Sequence, residues 1–229
     1  MTYLLAVDSS ISGPDSVSRP LVAEFADSWC AAGPDRSVVS RDLAANPVPH
    51  LTTAGLHYAE VLRRPHESVD PAAADLQREL IDEVAGAAAV VIGAPMYNWS
   101  IPSTLKTWLD HLHVLGVTTS SDDQPGKLQG IPVVVVSPRG LAYDDSDPGQ
   151  AGDHTVPAIE KILAGSMGMD VTSVVVDYTL AERLPAVAEH APAGESSKAA
   201  ARERIRELGG GGGGGPPPPP PEVKICHQD

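Results

Sequence analysis

Five short apolar runs punctuate the chain, at Tyr3–Val7, Ser37–Arg41, Ala88–Gly93, Pro132–Ser137 and Val171–Asp177. Between and after them, apolar positions recur at helical spacing over about 16–32, 72–86, 102–115, 153–167 and 195–208. Val90-Val91-Ile92 is continuously apolar, as a strand covered on both faces should be. Five strand–helix units in alternation predict an α/β protein with a doubly wound, five-stranded parallel sheet. The strand order 2-1-3-4-5 is the natural solution for five strands, and its switch point brings together the loops after the first and third strands. The runner-up, a Rossmann-type dinucleotide fold, needs G-x-G-x-x-G after the first strand. The loop there reads Ser9-Ser-Ile-Ser-Gly-Pro-Asp-Ser-Val-Ser18 instead.

The loop after the third strand runs Ala94-Pro-Met-Tyr-Asn-Trp-Ser-Ile-Pro102 before a helix whose Leu105, Trp108, Leu109 and Leu112 keep helical spacing. It gathers backbone N–H groups, an amide and aromatic faces in one place, which suits a flat heteroaromatic ligand better than a sugar or a metal. The loop after the first strand offers Ser9, Ser10, Ser16 and Ser18, with Arg19 beside a helix start, and reads as a seat for a phosphate monoester. Asp15 sits awkwardly for that role, and a plain helix cap by Ser16 or Ser18 is the competing reading. After the fourth strand, Ser137-Pro-Arg-Gly-Leu-Ala-Tyr143 places a glycine and an arginine where they would meet a ligand edge. Arg139 or the neighbouring N–H groups would then oppose negative charge on a ring that accepts electrons; the alternative is an ordinary turn with a solvated arginine.

Composition narrows the partners. At 229 residues the chain fits one domain, here residues 1–208, and its formal charge of −14 without a Lys/Arg cluster argues against nucleic acid and anionic membranes. No apolar run approaches the roughly 20 residues of a spanning helix. The strand at Tyr3 follows Met1 with no basic leader, so a cytoplasmic protein is expected. Residues 209–229, with seven glycines and six prolines, cannot bury a core and are expected to form a disordered tail. Leu43 to Asp70 is a long connection rich in Pro and His, of the kind that forms a lid or is disordered. Cys30 and Cys226 support neither a disulfide framework nor zinc. His111 and His113 are two apart on a helix and cannot pair on one metal, so no metal is expected; His50, His57 and His66 either reach the pocket as proton donors or, more plainly, face solvent.

Three stretches together resemble a known family: Pro95-Met-Tyr-Asn-Trp-Ser-Ile-Pro-Ser-Thr-Leu-Lys106, Ser9-Ser10 with Ser16-x-Ser18, and Arg41-Asp-Leu-Ala-Ala-Asn-Pro-Val-Pro49. Over residues 1–208 the chain is similar to the flavodoxin-like FMN-dependent NADH:quinone oxidoreductases, also called FMN-dependent NADH-azoreductases. The resemblance implies FMN as cofactor, with Ser10, Ser16, Val17 and Ser18 on its phosphate and ribityl chain. Pro95, Met96, Tyr97, Asn98 and Trp99 would lie along the isoalloxazine, and Ser137, Pro138, Arg139 and Gly140 would reach its pyrimidine edge. It also implies a homodimer, with the helix from Pro102 and the loop Gly116–Asp123 against the partner.

The implied activity is ping-pong hydride transfer from NAD(P)H through FMN to quinones, with azo or nitro aromatics as other acceptors and no catalytic side chain required. The chain departs from the family at Leu141, where a second glycine is usual, at Thr119–Asp123, where an aromatic run is usual, and at Trp99, where Phe is more frequent. Trp99 adds an N–H that calls for a partner. A specialised biosynthetic enzyme acting on a quinone-like intermediate, or a flavin-binding electron carrier without turnover, are the alternatives.

Overall fold

The computed structural model describes residues 2–119, 124–143 and 152–211. Its centre is one parallel sheet of β1 (Thr2–Asp8), β2 (Arg36–Asp42), β3 (Ala89–Gly93), β4 (Pro132–Pro138) and β5 (Asp170–Val176), in the order β2-β1-β3-β4-β5. All four pairings are parallel, with Leu5 opposite Val39 and Val90, and Val135 opposite Ile92 and Ser173. The predicted sheet and order are therefore the observed ones. The helices are α1 (Ser18–Ala31), α2 (Pro71–Ala85), α3 (Ser103–Leu112), α4 (Val156–Leu163) and α5 (Ala191–Gly209).

Alternate residues of each central strand serve opposite faces. Leu5, Val7, Val90, Ile92, Val133 and Val135 pack with Leu80, Leu109 and Ile159 of α2, α3 and α4. Leu4, Ala6, Val91, Val134 and Val136 pack with Leu21, Phe25 and Ile205 of α1 and α5. A strand buried on both faces has no polar position to spare, which is why β3 reads as an unbroken apolar run. Glycine is required where α5 ends: a Cβ at Gly209 would lie 2.8 Å from the Phe25 carbonyl oxygen of α1.

The long connection from Leu43 to Asp70 is neither a lid nor disordered. Leu43 and Val48 enter the core on the α2–α3–α4 side, and Leu56 is fully buried. Gln77 of α2 donates to the Leu56 carbonyl at 2.9 Å and to that of His111 at 3.2 Å. Tyr58 bridges to Leu115, and Asp70 caps α2 by accepting the Ala72 N–H at 3.3 Å. The segment is a strap that covers α2 and α3, and none of its residues lines the cleft described below. Its three histidines are exposed, as the plainer reading expected, and none lines the cleft; His50 contacts the Thr107 hydroxyl through Nδ1 at 3.2 Å. The Gly/Pro tail beyond Gly211 and the segment Ser120–Asp123 lie outside the described residues.

Candidate flavin site at the carboxyl edge of the sheet

A cleft of about 690 Å³ opens at the carboxyl ends of the strands, within the size range of small-molecule sites. Its floor and one wall come from the loops after β1 and β3, as the switch point requires. Ser10 and Val17 line it from the first loop, and Pro95 through Trp99 from the third. Pro138 and Gly140 join them from the loop after β4.

The third loop is a tight hairpin. Tyr97 and Ser100 exchange both backbone hydrogen bonds, at 3.0 and 3.1 Å, around Asn98 and Trp99. Both central residues have positive φ, 51° and 65°, the geometry of a two-residue turn that favours Asn and Gly. Trp99 at such a φ is strained, and its ring, 59% exposed, passes so close to Gly152 that a Cβ there would lie 3.2 Å from Cδ1. The indole is open to solvent, so its N–H does not depend on a protein partner. His154 donates to the Trp99 carbonyl at 3.0 Å, and Met96 to that of Pro138 at 2.9 Å, tying the hairpin to its neighbours.

At the other end, α1 starts with no acidic residue in its first turn, and Ser16, extended and just outside the helix, caps that turn as the competing reading expected. The Ser16 hydroxyl accepts the Arg19 N–H at 3.2 Å and lies 3.4 Å from the Ser18 hydroxyl. The N–H groups of Val17 and Ser18 meet no acceptor among the described residues. Free N–H groups at the positive end of a 14-residue helix, beside serine hydroxyls, form an anion seat. Ser9 is not part of it: its hydroxyl donates to the Gly93 carbonyl at 2.6 Å and joins β1 to β3. Nor is the Arg19 charge available. Its guanidinium donates to Asp42 at 2.7 and 2.9 Å and to the Ser10 carbonyl at 3.0 Å, and lies 3.7 Å from Asp8.

Ser16, Ser18, Ser137 and Arg139 do not line the cleft. Arg139 donates to Asp177 at 2.5 Å and to Asp153 at 2.8 Å, with its side chain only 13% exposed, so two carboxylates consume the charge assigned to a ligand edge. Burial works against that cation, and the hydrogen bonds and attraction of the two aspartates raise its pKa overall. Gly140 does line the cleft, and a Cβ there would also fall 2.6 Å from Leu180 Cδ1 on the far wall. Ser137 is fully buried at the end of β4, and its hydroxyl has no partner among the described residues. An unsatisfied buried hydroxyl is costly, and Ser137 shares that state with other buried groups such as Trp108 Nε1 and Thr104 Oγ1 away from the cleft.

The far wall escapes sequence reading. Thr179, Leu180, Glu182, Arg183 and Lys198 come from the loop after β5 and the start of α5. Lys198 pairs with Glu182 and, at 3.1 Å, with Glu195. The available signal was topological, since the loop after β5 ends on the same sheet edge as the other four. Among the described residues, no group of His, Cys, Asp or Glu could hold a metal, and no helix is long and apolar enough to cross a membrane.

A family model described as flavodoxin-like fold matches residues 2–207. An FMN-dependent NADH:quinone oxidoreductase of Kineococcus radiotolerans is 45% identical over 213 residues, covering 91% of this chain and all of that protein. One from Streptomyces avermitilis is 38% identical, covering 89% of this chain and 93% of its own. Among solved structures, an azoreductase from Bacillus anthracis superposes with a TM-score of 0.74 at 22% identity, covering 92% of this chain and 100% of that one, a likeness of fold. The match across nearly the whole chain, on top of the sheet order and the cleft, decides the family: the chain belongs to the FMN-dependent NADH:quinone oxidoreductases of flavodoxin-like fold.

Proposed function

We propose that the chain binds FMN in this cleft and transfers a hydride from NAD(P)H to quinones, with azo and nitro aromatics as further acceptors, donor and acceptor using the site in turn. One observation carries the reading: the start of α1, reached through Val17 beside Ser10, and an aromatic-bearing wall meet in one cleft at the switch point of the sheet, with Asp15 as the one carboxylate on the α1 side. The relatives' shared name supports the cofactor and the donor and acceptor classes.

The residues fit FMN on three counts. The unpaired N–H groups of Val17 and Ser18, with Ser10 and Ser16, suit a phosphate monoester. The Met96–Trp99 hairpin suits a flat ring, and the Ser137 hydroxyl, buried next to Pro138 of the cleft wall and without a partner among the described residues, is the donor this reading assigns to a polar ring edge. Bound FMN supplies two-electron chemistry between a hydride donor and an electron-poor acceptor. The chain's own part is to hold the phosphate, to cover the ring with Met96, Tyr97 and Trp99, and to exclude water. Pro138 and Gly140 present backbone to the pyrimidine edge. Arg139 keeps the loop after β4 in place through Asp153 and Asp177, and the reading assigns no acid, base or nucleophile.

The reading includes a homodimer and a cytoplasmic site of action, where NADH is supplied. Val61, Leu62 and Leu115 support the dimer: all three are exposed, Leu62 meets Gly116, and the Ala59 N–H donates to the Leu115 carbonyl at 2.8 Å, so they form one patch beside the end of α3. The test is spectroscopic. Purified protein is expected to carry or take up FMN, to bleach on anaerobic NADH addition and to regain colour with menadione. Protein that refuses FMN overturns the reading; protein that binds FMN but is not reduced by NADH would be a carrier.

A further inference from the structure

We infer that Tyr97 is a positioning residue for the phosphate end of the cofactor, its hydroxyl latching the Ser10–Ser12 turn from which the chain enters the anion seat. The inference rests on the FMN reading above and gives Tyr97 a role beyond offering a ring face.

Three groups of the first loop converge on one oxygen. The Tyr97 hydroxyl oxygen lies 3.1 Å from the Ile11 nitrogen, 3.2 Å from the Ser10 hydroxyl and 3.1 Å from the Ser12 hydroxyl. A phenol has one proton to give and two lone pairs. The Ile11 N–H donates to one lone pair, one serine donates to the other, and the phenol donates to the second serine, so its capacity is filled. The Ser10 hydroxyl also accepts the Ser12 N–H at 3.3 Å, which closes the network within the turn.

The anchor is itself fixed. Tyr97 stands at the base of the Asn98–Trp99 hairpin, held by two backbone bonds to Ser100, and Met96 beside it is bonded to Pro138. The turn it grips has little else. Ile11 is 72% exposed, and Gly13 beyond it has positive φ. On the opposite side, Arg19 donates to the Ser10 carbonyl and is locked by Asp42. The approach to Ser16, Val17 and Ser18 is thus clamped by an arginine on its backbone and a tyrosine on its hydroxyls. A loop ordered before the ligand arrives spares binding the cost of ordering it.

The experiment compares FMN with riboflavin, which lacks the phosphate, by titrating flavin-free wild type and Tyr97→Phe with each. Tyr97→Phe keeps the ring and removes the latch. Its FMN affinity should fall ~10-fold, the scale of one to two net hydrogen bonds, while riboflavin affinity stays within about twofold. The midpoint of thermal unfolding should fall by no more than about 5 °C, because the latch orders one exposed turn and closes no part of the core. Tyr97→Phe should also cost less FMN affinity in a Ser12→Ala background than in wild type, since the two groups share a bond. Equal weakening of both flavins, or of neither, overturns the latch. Wild type that prefers FMN with the preference unchanged in Tyr97→Phe refutes the latch alone; wild type that binds neither flavin refutes the FMN reading and the latch with it.

Discussion

Arg19 and Asp42 face each other through two parallel hydrogen bonds, Nη1 to Oδ2 at 2.7 Å and Nη2 to Oδ1 at 2.9 Å. The pair joins the first turn of α1 to the end of β2. Asp42 also accepts the N–H groups of Ala44 and Ala45, so the turn that opens the long strap is built on the same carboxylate. A cation at the mouth of the anion seat is therefore scaffold, and its field on a bound phosphate is largely cancelled by Asp42 and Asp8.

The Asp42 carboxyl is held down at about 2, chiefly by the Arg19 hydrogen bond and then, against the cost of burial, by the two backbone N–H groups. A depressed folded-state pKa contributes stability that is present above the unfolded value near 4 and is lost as pH falls toward 2. Discounted for solvent screening, the contribution is about 1 kcal/mol. Asp42→Asn should lose about that much in urea unfolding at pH 7 and show a shallower decline between about pH 4 and pH 2. An unchanged pH profile would contradict the assignment.

Asp8 carries the opposite sign. Burial raises its pKa most, Arg19 opposes this and Asp42 adds to it, and its Oδ1 is buried without a partner among the described residues. A raised folded-state pKa means the ionised form costs stability, a cost absent below the unfolded value near 4 and complete above the folded one. Asp8→Asn should be more stable than wild type at pH 7, with the gain fading below about pH 4. Loss of stability at pH 7 would show the charge to be structurally required.

Trp99 pays for a left-handed turn that glycine adopts freely. Trp99→Gly should raise stability by about 1 kcal/mol, since little apolar area is lost from a side chain so exposed. NADH:quinone turnover should fall at the same time, because the ring leaves the cleft wall. A variant that is both less stable and fully active would place the role of Trp99 elsewhere.

Ser137 offers a cleaner separation of fold from site. In flavin-free protein Ser137→Ala should be neutral or slightly stabilising, because it removes a buried hydroxyl that has no partner among the described residues. FMN affinity should nonetheless drop several-fold. Destabilisation of the flavin-free protein without any change in affinity would mean that the hydroxyl serves the core.

Much of this was legible in the sequence, and the parts that were not share a cause. The five strands and their order follow from apolar runs and alternation, which are local. Helix ends were less so: α3 stops at Leu112, short of the predicted 115, because His113 turns extended and the Thr118 hydroxyl takes the Val114 N–H at 2.8 Å. The two arginines were misread because their partners are distant in the chain, 23 residues for Arg19–Asp42 and 38 for Arg139–Asp177. That Leu180 crowds Gly140 was not legible either, because Leu180 belongs to another strand's loop. Residue type and spacing identified the loops that meet at the cleft; which charges are already spent within them is a tertiary property.

The central claim is that a phosphorylated flavin lies across the carboxyl edge of the sheet. A crystal structure of the FMN complex tests it most directly. The account predicts the phosphate on the N–H groups of Val17 and Ser18 and the ring against Met96–Trp99. Flavin bound at any other surface, or a phosphate held by Arg19 with its Asp42 pair broken, would contradict it.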